Sequence, residues 1–318
     1  MAEGRENGKG TVDVAIIGAG SAGVTAAIYA LRNGLKTRIF DGEREGGMTA
    51  DAVEIENYPG AGKISGKELM DKFLAQMRGF GGRVEGKEIS AIVKKENKKF
   101  EINAGDETFE ARTVIIATGT RYKKLGVPGE AELKGKGVSY CAVCDGAFFR
   151  ERDVVVVVGG GNTGVTYALY LAEICKSVAL VEFEPELCAD KVYLPRLNEK
   201  KVRVLANHGV VEILDAKKGV VEGVRIKARE GGREEVLPCA GVFVSVGLSP
   251  NNALAKAAGV EIDGKGFVKV NRETMETSIP GIFAAGDING GVEQTVVAAG
   301  EGAVAAVSAF RFLQGAGE

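Results

Sequence analysis

Cys141-Ala142-Val143-Cys144-Asp145 sets two thiols either side of two residues, with a carboxylate directly behind them. This spacing serves either half of a zinc site or a dithiol that cycles to a disulfide. Zinc wants two further ligands. The other cysteines, Cys175, Cys188 and Cys239, stand singly, and His208 is the one histidine. No metal is therefore expected, and the redox reading leads. The thiolate is the reacting form, so a thiol of ordinary pKa needs a proton acceptor close by. Asp145 is the candidate, with a simple turn residue as its plainer reading. A cycling dithiol also needs an electron source, which the rest of the chain must hold.

Two stretches could supply one. Val12 to Ile17 is a β-branched run that ends in Gly18-Ala19-Gly20-Ser21-Ala22-Gly23. A helical stretch follows to Leu31, with Gly34 as its stop, and a strand from Lys36 to Phe40 ends at Asp41, 18 residues past Gly23. Strand, glycine loop, helix, strand and acid together form the dinucleotide fingerprint. The glycines let a pyrophosphate approach the helix N-terminus, and Asp41 can accept from a ribose hydroxyl. The pattern returns later. Val154 to Val158 precedes Gly159-Gly160-Gly161-Asn162-Thr163-Gly164, Val165 to Ile174 suits a helix, and the strand Ser177 to Val181 ends at Glu182, 18 residues past Gly164. Short alternating runs read as a β-meander from Arg83 to Ile116, and a second meander is expected from Val210 to Val244. The fold class is thus α/β, with two Rossmann-like dinucleotide-binding domains, each with a meander. The second is inserted into the first: residues 1–119 and 248–318 form one domain and 120–247 the other. Two cofactors follow, or one cofactor and a relic.

The 318 residues suit two domains at about 150 residues each. Net charge is −2 and basic residues are spread, so no strong field favours nucleic acid or an anionic membrane. No apolar run approaches the roughly 20 residues of a membrane span. Met1 to Gly10 is polar, lacks the apolar core of a signal peptide, and reads as a frayed tail. A cytoplasmic location is expected, where a C-x-x-C is more often catalytic than a staple.

In order and spacing these pieces resemble the low-molecular-weight thioredoxin reductases, over nearly the whole chain after residue 12. The further matching motifs are Gly46-Gly47-Met48-Thr49, Glu56-Asn57-Tyr58-Pro59-Gly60, Ala117-Thr118-Gly119, Cys141-Ala142-Val143-Cys144-Asp145-Gly146, and Gly286-Asp287 with Gln294 beyond. The resemblance implies FAD in the first domain. Gly18, Gly20 and Gly23 approach its pyrophosphate; Ser21, Ala22, Gly47, Met48, Thr49, Thr118, Gly119, Gly286 and Thr295 belong to the same site. Asn57 and Gln294 lie near the flavin, and Asp287 meets the ribityl chain. Asp41 rests on the Rossmann argument alone. The resemblance also implies that Cys144 exchanges with the flavin and that Cys141 attacks the disulfide of a thioredoxin or glutaredoxin-like partner. Asp145 would move the proton, the chain would be a homodimer, and the inserted domain would turn about hinges near 119–123 and 245–248.

The second nucleotide site, at Gly159, Gly161, Asn162, Thr163, Gly164 and Glu182, departs from that family. Where NADPH-dependent members place a basic cluster for the 2′-phosphate, this chain has Glu182, Phe183, Glu184 and Cys188, and Thr166-Tyr167 replaces a pair of glutamates. Three donors stay open: NADH on Glu182; reduced deazaflavin or ferredoxin, with no nicotinamide used; or NADPH held by Lys191 or Arg196. His208, beside Gly209, reads as a surface or capping residue. The alternative class is a non-enzymatic redox-sensing flavoprotein.

Overall fold

The computed structural model describes residues 10–150, 154–216 and 219–315, so the tail expected over Met1 to Gly10 lies outside the described residues but for Gly10. The chain divides into two compact units. One comprises Met1–Ala50, Ile55–Arg121 and Pro250–Glu318; the other comprises Asp51–Glu54 and Tyr122–Ser249.

The first unit opens with β1 (Val12–Ile17), α1 (Ser21–Arg32) and β2 (Thr37–Phe40), the two strands pairing in parallel. Gly34 stops α1: its φ of +73° favours a residue without Cβ, and its N–H bonds Leu31 O. After α2 (Gly66–Gly79), which starts in a Ser65–Glu68 capping box, β3 (Val84–Glu85) adds to β2 in parallel. The antiparallel meander therefore begins later than Arg83. It comprises β4 (Ile89–Lys94), β5 (Phe100–Ala104) and β6 (Glu107–Ile116). The first half of β6 pairs β5; its second half runs beside a returning strand, while β1 flanks its other edge.

The chain crosses along β7 (Thr120–Tyr122). In the second unit, β8 (Val138–Ser139) leads to the short α3 (Ala142–Asp145), then β9 (Val154–Val158), α4 (Asn162–Ile174), β10 (Ser177–Val181), α5 (Leu194–Glu199) and β11 (Arg203–Leu205). The meander is β12 (His208–Ala216), β13 (Val220–Ala228) and β14 (Glu234–Pro238). The expected continuation to Val244 does not hold. β15 (Gly241–Val244) joins the parallel sheet instead, in the order β11-β10-β9-β15-β8. All four of its residues are buried, the mark of a strand covered on both faces rather than an alternating one.

The return strand β16 (Leu248–Pro250) pairs with β7. α6 (Ala253–Ala257), β17 (Ile282–Ala284, parallel to β6) and α7 (Thr295–Gly315) complete the first unit. At 21 residues, α7 is long and apolar enough by length and composition to cross a membrane. Glu301, Ser308 and Arg311 interrupt the stretch, so it does not stand out as an apolar run in the sequence. Ala298, Ala299, Gly302, Ala305, Ala306 and Ala309 are buried along it. A Cβ on Gly302 would sit 2.1 Å from Ala22 O, so α7 crosses α1 at a distance only glycine allows.

Candidate dithiol site and two glycine loops

Edge strand β8 ends one residue before Tyr140, and Cys141 follows as the N-cap of α3. The dithiol thus stands at the carboxyl end of a strand in the same parallel sheet that carries the second glycine loop after β9. Cys141 and Cys144 are disulfide-bonded, with Cα atoms 5.3 Å apart. The Cys144 N–H donates to Cys141 Sγ at 3.1 Å, a contact that favours a thiolate there after reduction. The Asp145 carboxylate turns toward the strand, where Ser139 Oγ donates to its Oδ2 at 2.6 Å. Ser139 Oγ also accepts the Cys141 N–H at 3.1 Å, so these three residues fix the turn. Cys144 is exposed and Cys141 half-buried, and Val143 and Phe148 are apolar and exposed beside them.

A carboxylate the sequence did not single out faces the disulfide. Asp51 ends a 3₁₀ turn (Gly47–Asp51) and is 4% exposed. Its Oδ1 lies 3.9 Å from Cys144 Sγ, and the candidate ligand atoms of Asp51, Cys141 and Cys144 fall within 4.8 Å of one another. Tyr122 Oη donates to Asp51 Oδ2 at 3.3 Å and lies 3.2 Å from Tyr167 Oη, which in turn is 3.3 Å from Tyr140 O. Burial, then the Tyr167 phenol and Asp51, hold the Tyr122 hydroxyl far above the usual phenol range.

In the first unit, the carboxyl ends of β1, β2, β6 and β17 carry the expected cofactor residues, where a parallel sheet binds ligands. A Cβ on Gly18 (φ +105°) would lie 2.2 Å from Ala117 O, and one on Gly23 would lie 1.8 Å from Gly18 O. Gly20 is different: its nearest neighbour, the Gly47 Cα, would be 4.0 Å from a Cβ, so this backbone is left open. The open, side-chain-free backbone at the start of α1 fits a dinucleotide pyrophosphate. Ser21 Oγ lies 2.7 Å from Thr49 Oγ1, and Thr49 Oγ1 lies 3.3 Å from Thr295 Oγ1. Asn57 Nδ2 donates to Gln294 Oε1 at 2.9 Å. Ala22 packs against Gly286 and Gly302. Thr118 exchanges two hydrogen bonds with Asn251, at 3.0 and 2.9 Å, and Gly119 follows at φ +58°. Met48 Sδ lies 3.5 Å from Thr120 Oγ1.

Asp287 opens a 3₁₀ turn after Gly286 (φ +81°). Burial, then Glu293 and Glu301, push its carboxyl up to about 6. Glu301, which the sequence reading passed over, accepts the Gly286 N–H and the Asn289 amide, both at 2.8 Å, and so holds that turn.

The second loop repeats the backbone pattern of the first. Gly159 has φ +113°, and a Cβ on Gly164 would lie 1.8 Å from Gly159 O. Asp41 accepts the Ala19 N–H at 2.8 Å and the Glu43 N–H at 3.0 Å; Glu182 accepts the Gly160 N–H and, at 2.7 Å, the Glu184 N–H. Each acid therefore caps its own loop. The surroundings differ. Cys188 N–H bonds Gly160 O, Leu187 lies over Gly160, and Asn162 exchanges hydrogen bonds with Asp190 at 3.1 and 2.7 Å. Thr163 is exposed, and a Cβ on Gly161 would meet nothing within 4 Å. Arg229 pairs with Glu184 at 2.9 Å and sits 4.2 Å over the Phe183 ring, while Arg196 pairs with Glu54 at 3.7 Å. His208 Nδ1 meets Ala206 O at 2.7 Å, a local contact. Cys239, outside the disulfide, is buried, which pushes its pKa up to about 12.

The sequence profile of the pyridine nucleotide-disulphide oxidoreductase family matches residues 12–302. A thioredoxin reductase from Mycolicibacterium smegmatis is 42% identical over 95% of this chain and 96% of its own length. The crystal structure of a T. acidophilum thioredoxin reductase is 39% identical, with a TM-score of 0.90 over 95% of this chain and 98% of that one. A ferredoxin-flavin thioredoxin reductase from Clostridium acetobutylicum is 32% identical, with a TM-score of 0.53 over 96% of this chain and 99% of that one.

Proposed function

Because this chain belongs to the pyridine nucleotide-disulphide oxidoreductases, in the class of the low-molecular-weight thioredoxin reductases, we propose that it passes electrons through FAD and Cys141–Cys144 to a protein disulfide. The acceptor is a thioredoxin or a glutaredoxin-like protein. The observation that carries this reading is the disulfide at the carboxyl end of β8, in a chain whose other unit presents an open dinucleotide crevice.

FAD, when bound, supplies two-electron chemistry between a donor and the dithiol. The chain's own residues bind and orient it. Gly18, Gly20, Ser21 and Gly23 leave the α1 N–H groups to the pyrophosphate, and Asp41 can use its remaining lone pairs on a ribose hydroxyl. Asn57 and Gln294 would lie near the flavin, Asp287 would meet the ribityl chain, and Gly47, Thr49 and Thr295 would complete the site. Cys141 attacks the partner, with Val143 and Phe148 as the apolar surface beside it, and Asp145 moves a proton at the turn. Rotation about residues 119–123 and 245–248, and assembly as a homodimer in the cytoplasm, belong to the same proposal. An engineered cross-link between the units that left turnover intact would reject the rotation.

The donor in this reading is not NADPH. Carboxylates stand where a dianionic phosphate would be clamped, at a cost on the order of 1–4 kcal/mol per close pair. Arg229 and Arg196 each already have an acid, and Lys191 is exposed. A low-potential donor, reduced ferredoxin or deazaflavin, fits best, and the ferredoxin-flavin relative supports it. NADH is the second reading, favoured by Glu182 at the end of β10. The test offers NADPH, NADH, reduced deazaflavin and reduced ferredoxin anaerobically to the holoenzyme and follows flavin bleaching. Fast bleaching by NADPH would overturn the donor assignment. Loss of thioredoxin reduction in Cys141→Ser, with bleaching retained, supports the reductase over a redox sensor.

A further inference from the structure

We propose that Asp51 is an acid–base residue serving Cys144, and that the phenols of Tyr122 and Tyr167 form a reversible hydrogen-bond chain that accommodates its change of charge. This rests on the dithiol exchange proposed above and adds a residue to it.

The geometry is local to one unit. Asp51 Oδ1 lies 3.9 Å from Cys144 Sγ, whereas the Asp145 carboxylate is bonded to Ser139. The disulfide sulfur has no proton; after reduction a thiol at that place would donate to Oδ1. Among the groups that face Asp51 are Cys141, Cys144 and Tyr122, with Tyr167 behind Tyr122. Glu54, on the same short segment as Asp51, pairs with Arg196.

Proton counting gives the chain its purpose. Three links run from Asp51 to Tyr122, to Tyr167 and to Tyr140 O, but the two phenols hold one proton each. With Asp51 ionised, Tyr167 donates to Tyr122 and Tyr122 donates to the carboxylate. With Asp51 protonated, the direction reverses: Asp51 donates to Tyr122, Tyr122 to Tyr167, and Tyr167 to Tyr140 O. Each charge state of Asp51 has its own satisfied pattern, and both use the same heavy atoms. A buried carboxylate is costly when left unsatisfied in either state. Here neither state is.

The sulfur chemistry balances through it. The Cys141 thiolate attacks the partner disulfide; that S–S bond breaks, one partner sulfur leaves as thiolate, and a mixed disulfide forms. Cys144 has by then handed its proton to Asp51 Oδ1, in the pose where the two are adjacent, and a half-turn of the carboxyl about Cβ–Cγ presents that hydroxyl to Tyr122. The Cys144 thiolate then attacks Cys141 Sγ, the Cys141–Cys144 bond forms, and the second partner sulfur leaves with the electron pair as thiolate. The partner is reduced by two electrons, and the Cys141–Cys144 dithiol is oxidised by two.

The test mixes FAD-loaded enzyme anaerobically with dithiothreitol and follows flavin bleaching across the pH range in which carboxylates and thiols titrate. Bleaching of wild type and none of Cys144→Ser establishes the dithiol route. An unbleached wild type would overturn that reading and this inference with it. With the route established, Asp51→Asn should bleach about 10²-fold more slowly, as general acid–base removal does, with its acid limb gone. Tyr122→Phe removes a donor to the ionised carboxylate, so its acid limb should move to higher pH. A structural role would leave the limb where it is. Wild-type rate and profile in Asp51→Asn, or, should that variant not fold, an unmoved limb in Tyr122→Phe, would sink the assignment of Asp51 alone.

Discussion

The two glycine loops share a backbone and differ in what surrounds it. Each follows a parallel strand, each has a first glycine with φ above +100°, and each is capped by the acid that ends the next strand. Around the first stand the hydroxyls of Ser21, Thr49 and Thr295. Against the second lie Leu187, Cys188 and Asp190 of its own chain. A glycine motif therefore reports a way of packing a strand on a helix. Whether a nucleotide is held there is decided by residues that no loop pattern contains.

The largest effect should separate packing from binding. Gly23→Ala and Gly164→Ala introduce the same 1.8 Å clash. Each should cost at least about 1–3 kcal/mol, the range for overpacking. Only Gly23→Ala should also strip the flavin, which absorbance of the purified protein reads directly. Equal flavin loss in both would erase the contrast.

Next comes charge at the second loop. Glu184→Arg with Cys188→Arg restores two cations where the family clamps a phosphate, and removes the acid now paired with Arg229. NADPH-driven bleaching should rise about tenfold or more, an effect of about 1.4 kcal/mol. No rise would mean that Leu187 and Asp190 close the loop whatever the charge.

A smaller change tests the shared caps. Asp41→Asn and Glu182→Gln each trade charge-assisted bonds from loop N–H groups for neutral ones, a difference of about 1 kcal/mol. Thermal unfolding of the flavin-free protein should show similar losses for the two, because the contacts match. A loss confined to one would show that the repeat is only geometric.

The smallest is a titration in the first unit. The folded pKa of Asp287, about 6, lies above its ordinary value of 3.8. A raised acid favours the fold while it is protonated, so this contribution is present below about pH 4 and lost as pH rises to about 6. Flavin-free Asp287→Asn should therefore gain stability over wild type above pH 6 and match it near pH 4. A pH-independent difference would mean that the residue is not desolvated as described.

Much of this was readable in the chain. Gly18, Gly159 and the acids Asp41 and Glu182 lie in a short window where spacing and chemistry coincide. β15 was misplaced because Gly-Val-Phe-Val suits a meander or a buried parallel strand equally, and only its neighbours decide. Asp51 was illegible for another reason. It lies 93 residues from Cys144, and its link to Tyr167 runs through Tyr122. No periodicity joins such positions; the fold does. Glu301 was hidden in the same way, inside a helix whose alanines spoke louder.

The split of the first unit around the second also orders events during synthesis. Apart from Asp51–Glu54, the second unit is one continuous stretch, ending at Ser249. It can leave the ribosome whole while β17 and α7 are still untranslated. Until those arrive, β6 lacks a neighbour and α1 lacks the helix it crosses at Gly302. The nascent chain thus completes its dithiol unit first, and the flavin crevice closes last, when the Gly286-Asp287 turn and α7 are made.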